Sequence, residues 1–162
     1  MQRIASQIIQ RVNLFLLSLL PTFALAGNSV PDDYVTSKPL LLEVRYCQCQ
    51  ATKTDAAPSE LLPSFLRDSG LLKVGVSSEG KGFASSSDLS IGYELKPVAG
   101  SPGQFQFNYA GRYTTSDGSS AGNGEILLVQ GQWVSLFGSR HDNETGSQYS
   151  NVAVRLAKPG GS

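Results

Sequence analysis

The sequence predicts an all-β fold: an antiparallel β-sandwich, immunoglobulin-like in strand count, of about seven strands with one short helix insert. Three observations predict it. Apolar and polar residues alternate with a period of two in seven separate stretches. Clusters of Gly, Ser, Asn and Asp divide those stretches, as tight turns between short strands require. Seventeen glycines, with many serines and asparagines, point the same way, and 40% hydrophobic residues in 162 suffice for one buried core.

In chain order, Arg3 and Arg11 precede an apolar run from Val12 to Leu20, and Ala24-Leu25-Ala26 places small residues just before Gly27. Residues 1–26 therefore read as a secretory signal peptide. Pro21 interrupts an apolar stretch that falls short of the roughly 20 residues a membrane span needs. No cysteine follows the cleavage position to carry a lipid, and no later apolar run is long enough to span a membrane. The expectation is a soluble, mildly acidic protein exported to a bacterial periplasm or beyond the cell. Residues 27–39 carry two prolines and no apolar periodicity, which predicts a flexible arm. The sandwich domain is expected over 40–158, with a disordered tail at 159–162.

The first predicted strand runs from Leu40 to Gln50, with Leu42, Val44 and Tyr46 on one face and Glu43, Arg45, Cys47 and Cys49 on the other. Ser59 to Gly70 reads as the helix insert, with Ser59 as N-cap and Gly70 just past the end; Pro63 is tolerated only in a first turn, so the helix is short. Strands follow at Leu71–Ser77, Leu89–Pro97, Gln104–Thr115, Glu125–Val129, Gln132–Phe137 and Gln148–Leu156. In the third of these, Phe105, Phe107, Tyr109 and Gly111 share a face. Gln130-Gly131 is a hairpin signal that sets Trp133 just after a turn. Ser77–Asp88 and Thr115–Gly124 read as mobile Gly/Ser loops. A partly open barrel is the alternative closure for the same strands.

Thirteen basic residues balance thirteen acidic ones, and no basic face is available for a phosphate backbone, so no nucleic-acid partner is expected. Two cysteines, one histidine and one methionine exclude a four-ligand Cys/His zinc site, a c-type haem and an iron–sulfur cluster. No cofactor or metal is expected. His141 is the single candidate base and sits in a polar turn, Ser139 to Asn143. Asp32 and Asp33 lie in the arm, while Glu43, Glu94 and Glu125 alternate with apolar residues as strand-face charges do. No phosphate loop, dinucleotide fingerprint or nucleophile elbow occurs, which predicts a protein that is not an enzyme. Asn143-Glu144-Thr145 fits a glycosylation acceptor and reads as a polar turn.

Cys47-Gln48-Cys49 is the most informative constellation. An oxidising compartment favours pairing, yet residues i and i+2 of a regular strand hold their Cα atoms about 6.6 Å apart, near the upper limit for a disulfide. Bridging would buckle the strand. Three roles stay open: a redox-active or switchable dithiol with Arg45 favouring a thiolate, a local staple, or two small apolar side chains.

The strand Leu42-Glu43-Val44-Arg45-Tyr46 running into Cys47-Gln48-Cys49, after a signal peptide and within a sandwich, resembles the small periplasmic chaperones that restrain curli subunits. The passage from Gly124-Glu125 to Ser139 is similar to strand-turn-strand passages of secretin-like domains. The first resemblance implies a non-catalytic protein that keeps amyloid- or fibre-forming subunits soluble during export. The second implies outer-membrane secretion components as further partners. Cys47 and Cys49 are the positions that carry over. Strand edges, or a charged face bearing Glu43, Arg45, Glu94, Lys96 and Arg112, would bind the subunit. Two alternatives belong to other classes: a thiol–disulfide redox protein using Cys47 and Cys49, and a structural or carbohydrate-binding surface module with Trp133, Tyr109 and Tyr113 as an aromatic platform.

Overall fold

Alternating apolar residues bury one face of each strand, and two such faces close on one another. The computed structural model describes residues 37–49, 66–143 and 146–160. Among the described residues eight strands form: β1 (Leu40–Cys49), β2 (Gly70–Val76), β3 (Gly80–Ser85), β4 (Leu89–Pro97), β5 (Gln104–Thr115), β6 (Gly118–Val129), β7 (Val134–Asn143) and β8 (Gly146–Ala157). They build two four-stranded antiparallel sheets, ordered β2-β1-β8-β7 and β3-β4-β5-β6. The expected all-β sandwich is present, with eight strands in place of seven.

Strand order refines the immunoglobulin-like expectation. Consecutive strands are hydrogen-bonded neighbours except where the chain crosses between sheets, from β2 to β3 and from β6 to β7, and β1 pairs with β8. This is a meander wound once around the core, as in an up-and-down barrel opened at two seams, without Greek-key crossings. Strands β6 and β7 touch along more of their length than β2 and β3 do.

Leu42, Val44, Ile91, Leu95, Phe107, Leu128, Val152, Val154 and Leu156 fill the space between the sheets and are buried almost completely. Aromatic rings extend that core. Tyr93, Phe107, Tyr109 and Phe137 stack in series, with ring centres 6.1, 6.1 and 6.4 Å apart. Space for the series comes from glycine: a Cβ at Gly122 of β6 would lie 2.6 Å from the Cβ of Phe137. Across the β3–β4 pair, Gly82 faces Tyr93 and leaves room for its ring.

Those glycines explain two corrections. Within the expected loop Ser77–Asp88 the chain forms β3, whose inward positions are Gly82 and Ala84, so no apolar alternation marks it. The expected loop Thr115–Gly124 is mostly the first half of β6, where Ser120, Gly122 and Gly124 face inward; Thr115 pairs with Gly118, and Ser116-Asp117 alone make the turn.

Gln130-Gly131, expected to make a hairpin, instead links the two sheets. Gly131 takes φ 91°, a left-handed conformation suited to glycine. Its N–H donates to the Leu156 carbonyl at 2.7 Å and that of Gln130 to the Gly103 carbonyl at 2.8 Å, so the link is fastened to both sheets. Of the expected helix, Ser59 and Pro63 lie outside the described residues; Leu66 to Ser69 form a turn, and Gly70 opens β2. The signal peptide, most of the arm and Glu144-Thr145 of the glycosylation triplet also lie outside them.

Tyr109 donates its phenol to the Leu136 carbonyl at 2.8 Å. Burial pushes the Tyr109 phenol above its ordinary value, and burial, then Asp88 and Tyr46, does the same to Tyr113. Unfolded phenols ionise near pH 10, so above that pH the unfolded chain releases protons before the folded one. Stability is therefore intact below about pH 10 and falls as pH rises from there through the raised folded values. Urea midpoints at pH 8 and pH 10.5 should show this loss. Tyr109→Phe should flatten the alkaline slope while costing about 1 kcal/mol at pH 8 for the missing hydrogen bond; an unchanged slope would refute the assignment.

Candidate functional site

Residues 43, 45, 47 and 49 of β1 point away from the main core, onto the outer face of the first sheet. The chain covers that face itself. Trp133, carried over by the inter-sheet link, packs with Leu66, Ala153 and Cys47 in a second small apolar cluster, with Cys49 against it. Cys47 is 7% exposed and Cys49 is half-buried.

Cys47 and Cys49 are joined in a disulfide, with Cα atoms 5.4 Å apart. The expected buckling is thus a local shortening of β1, absorbed without loss of register: Cys47 still pairs with Asn151 and Cys49 with Tyr149. Pairing with β2 stops at Tyr46, opposite Gly70, so the bridged end of β1 runs beyond its β2 neighbour. A three-residue loop restricts the unfolded chain little, and chain-entropy reasoning assigns the bridge about 1.6 kcal/mol. Cys49→Ala should lower unfolding stability by about that much in urea while the sheet signal in circular dichroism persists. A loss above about 4 kcal/mol would contradict the local role. Trp133 is the sole tryptophan, so its emission reports on the bridge directly.

Charge surrounds the cluster. Arg45 donates to the Leu66 carbonyl at 3.0 Å and to Ser69 Oγ at 3.2 Å, fastening the turn over the face. The guanidinium carbons of Arg155 and Arg45 lie 4.8 and 5.9 Å from the Trp133 ring centre, in cation–π range. Trp133 Nε1 and Arg45 Nε are buried without a hydrogen-bond partner. Glu43, expected on a solvated face, is 5% exposed. It accepts from Arg155 across β1–β8, Nε to Oε2 at 2.8 Å, and meets Lys73 of β2 at 3.5 Å. A carboxylate removed from water needs such partners.

The five residues expected to share a binding face divide between the two outer faces of the sandwich. Glu43 and Arg45 occupy the first sheet's outer face, with Arg45 near the Trp133 ring. Glu94, Lys96 and Arg112 lie on the second sheet's outer face. There Lys96, at 2.8 Å, and Lys81, at 3.5 Å, flank Glu94 and hold its carboxyl below the usual range, with the Lys96 hydrogen bond as the largest cause. Arg112 is set apart, opposite Ser90 and donating to Ser119 Oγ at 3.1 Å.

The expected aromatic platform does not form. Tyr109 and Tyr113 face inward, and Trp133 is buried on the opposite side of the first sheet. Sequence reasoning missed Leu66 and Trp133 as the cover of the cysteine pair, and Arg155 as the partner of Glu43. One signal was readable: the sole tryptophan, two residues after a glycine link. Among the described residues no group of three or more His, Cys, Asp or Glu is placed to hold a metal ion. No helix among them is long and apolar enough to cross a membrane.

The fold and site define an all-β meander sandwich with a disulfide-stapled strand end covered by a tryptophan. No protein-family model, curated protein or solved structure matches the chain.

Proposed function

We propose that this is an exported, non-catalytic accessory protein that captures extended segments of fibre-forming or amyloid subunits on their way to the cell surface. The observation that supports the reading best is the open seam between β2 and β3. Strand β3 pairs with β4 alone, so its other backbone edge is a template for a further strand. Phe83 on that strand is 63% exposed, the most exposed large hydrophobic side chain among the described residues. Beside it a slot of about 210 Å³ is lined by Lys38, Val74, Val76, Gly82 and Tyr93. An incoming segment would gain main-chain hydrogen bonds from β3 and side-chain contact from Phe83. At six residues β3 is short, so capture is weak and reversible, as suits a chaperone that must release its client. The signal-peptide pattern of residues 1–26 supports a periplasmic setting, with outer-membrane secretion components as neighbours.

The exported protein, at one-tenth the concentration of a fibre subunit from the same cell, should lengthen the lag of fibrillation. Phe83→Asp, a surface substitution that leaves the core untouched, should return the lag to that of subunit alone. Cys49→Ala should retain the effect. No lengthening even at equal concentration would refute the proposal.

A second reading, thiol–disulfide exchange, has the half-buried Cys49 in its favour, at a strand end that β2 leaves unpaired. It requires wild-type protein to reduce insulin disulfides faster than Cys49→Ser. The burial of Cys47 under Trp133 weighs against it, because exchange needs access to sulfur.

A further inference from the structure

The interior of the sandwich changes character along its length. On β1 the inward positions run Leu42, Val44, Tyr46 and then Gln48; on β8, in register, Leu156, Val154, Val152 and then Ser150. Likewise Phe137 gives way to Ser139 on β7, Tyr113 to Thr115 on β5, and Gly122 to Ser120 on β6. Period-two alternation continues to the end of the sheets, but its last step is polar on β1, β5, β7 and β8, and on β6 Ser120 stands one step before the terminal Gly118. An ordinary core would close there with apolar residues.

A cleft of about 390 Å³ opens at that end, in the size range of small-molecule sites and in the place where barrels hold their ligands, the mouth. Its floor is a chain of hydroxyls: Ser139 Oγ lies 2.9 Å from Ser150 Oγ, which donates to Ser120 Oγ at 3.0 Å. Ser150 is 9% exposed and Ser120 6%. The rim is held in place by its own contacts. Gln48 donates its amide to Asp117 and accepts from Ser116 at 3.3 Å. Arg140 donates to Asp142 at 2.7 Å and lies 5.6 Å over the Tyr149 ring.

The composition selects a ligand class. Asp117 disfavours an anion and Arg140 a cation, while hydroxyls, an amide and a carboxylate offer both donors and acceptors at close spacing. An aromatic ring at the rim adds an apolar surface. A molecule with many hydroxyls, no charge and one apolar face satisfies all of these together. We infer that the cleft at the Gln48 end of the sandwich is a binding site for a neutral sugar of one or two rings. The site is separate from the β2–β3 seam and stands or falls independently of capture at that edge.

The test uses nitrogen-15 NMR of the exported protein with glucose, galactose, N-acetylglucosamine, maltose, cellobiose and chitobiose, each at up to 20 mM, and inorganic phosphate as the anionic probe. At least one sugar should shift the amides of Gln48, Ser119, Ser139 and Tyr149 saturably, and phosphate should not. Asp117→Ala, in an exposed turn, should weaken binding at least tenfold, with changes in the sugar-free spectrum confined to the residues around the cleft; Ser150→Ala, at the floor, should also weaken binding. Silence with all six sugars would overturn the inference. So would equal shifts with phosphate, or sugar-induced shifts that persist in Asp117→Ala.

Discussion

Phe107→Ala should destabilise the protein by about 3–5 kcal/mol, a large share of the 5–15 kcal/mol that holds a typical domain folded. The ring is fully buried and lies between Tyr93 and Tyr109 in the stacked series, which ends on Phe137 of the other sheet. Its removal opens a cavity in the middle of β5, a strand held by ladders to β4 and β6 on its two sides, which limits how far it can move to fill the space. Phe107→Leu keeps most of the buried area and loses the two ring pairs, worth about 0.5–1.5 kcal/mol each, so it should fall between wild type and alanine. Urea unfolding of the three proteins gives the comparison. An alanine variant within 1 kcal/mol of wild type would mean that the stack does not carry the core.

Arg155→Met should be the next most costly substitution, at about 3 kcal/mol, and the asymmetry around it is more diagnostic than its size. Removing Arg155 leaves the Glu43 carboxylate buried with Lys73 alone, and an under-partnered buried charge is expensive. Glu43→Gln instead leaves two cations whose side chains are 27% and 49% exposed, and water can take them up. That variant should cost about 1 kcal/mol or less, on the order of an exposed pair. The double variant should recover part of the Arg155→Met loss, since no carboxylate remains to be stranded. Equal costs for the two single variants, or the reverse order, would contradict a buried Glu43.

The fold was legible where one strand carries its own core residues. Strands β4 and β5 begin and end where alternation places them, at Leu89–Pro97 and Gln104–Thr115, because Ile91, Leu95, Phe105 and Phe107 mark the inward face. Strand β3 and the start of β6 were hidden, since their inward positions are glycine, alanine or serine, and the volume above Gly122 is filled by Phe137 from a different sheet. Period-two patterns report a strand's own side chains, not those reaching in from elsewhere. The meander order escaped for a related reason: turn signals do not say whether Gln130-Gly131 joins paired strands or crosses between sheets. At the candidate site, the shared face of Cys47 and Cys49 could be read from spacing, while their bridging could not. Glu43 reads as a solvated charge because its partner, Arg155, is 112 residues away in sequence, and the covering Leu66 and Trp133 come from segments with no local relation to β1.

Hydrogen exchange of the protein, alone and with excess fibre subunit, tests the proposed edge capture most directly. Added subunit should slow exchange of amides in Gly80–Ser85 and, more weakly, in Gly70–Val76, the two strands lining the open seam, while Gly118–Val129 exchanges as before. Unchanged exchange at β3, or protection confined to another edge, would contradict capture at the β2–β3 seam.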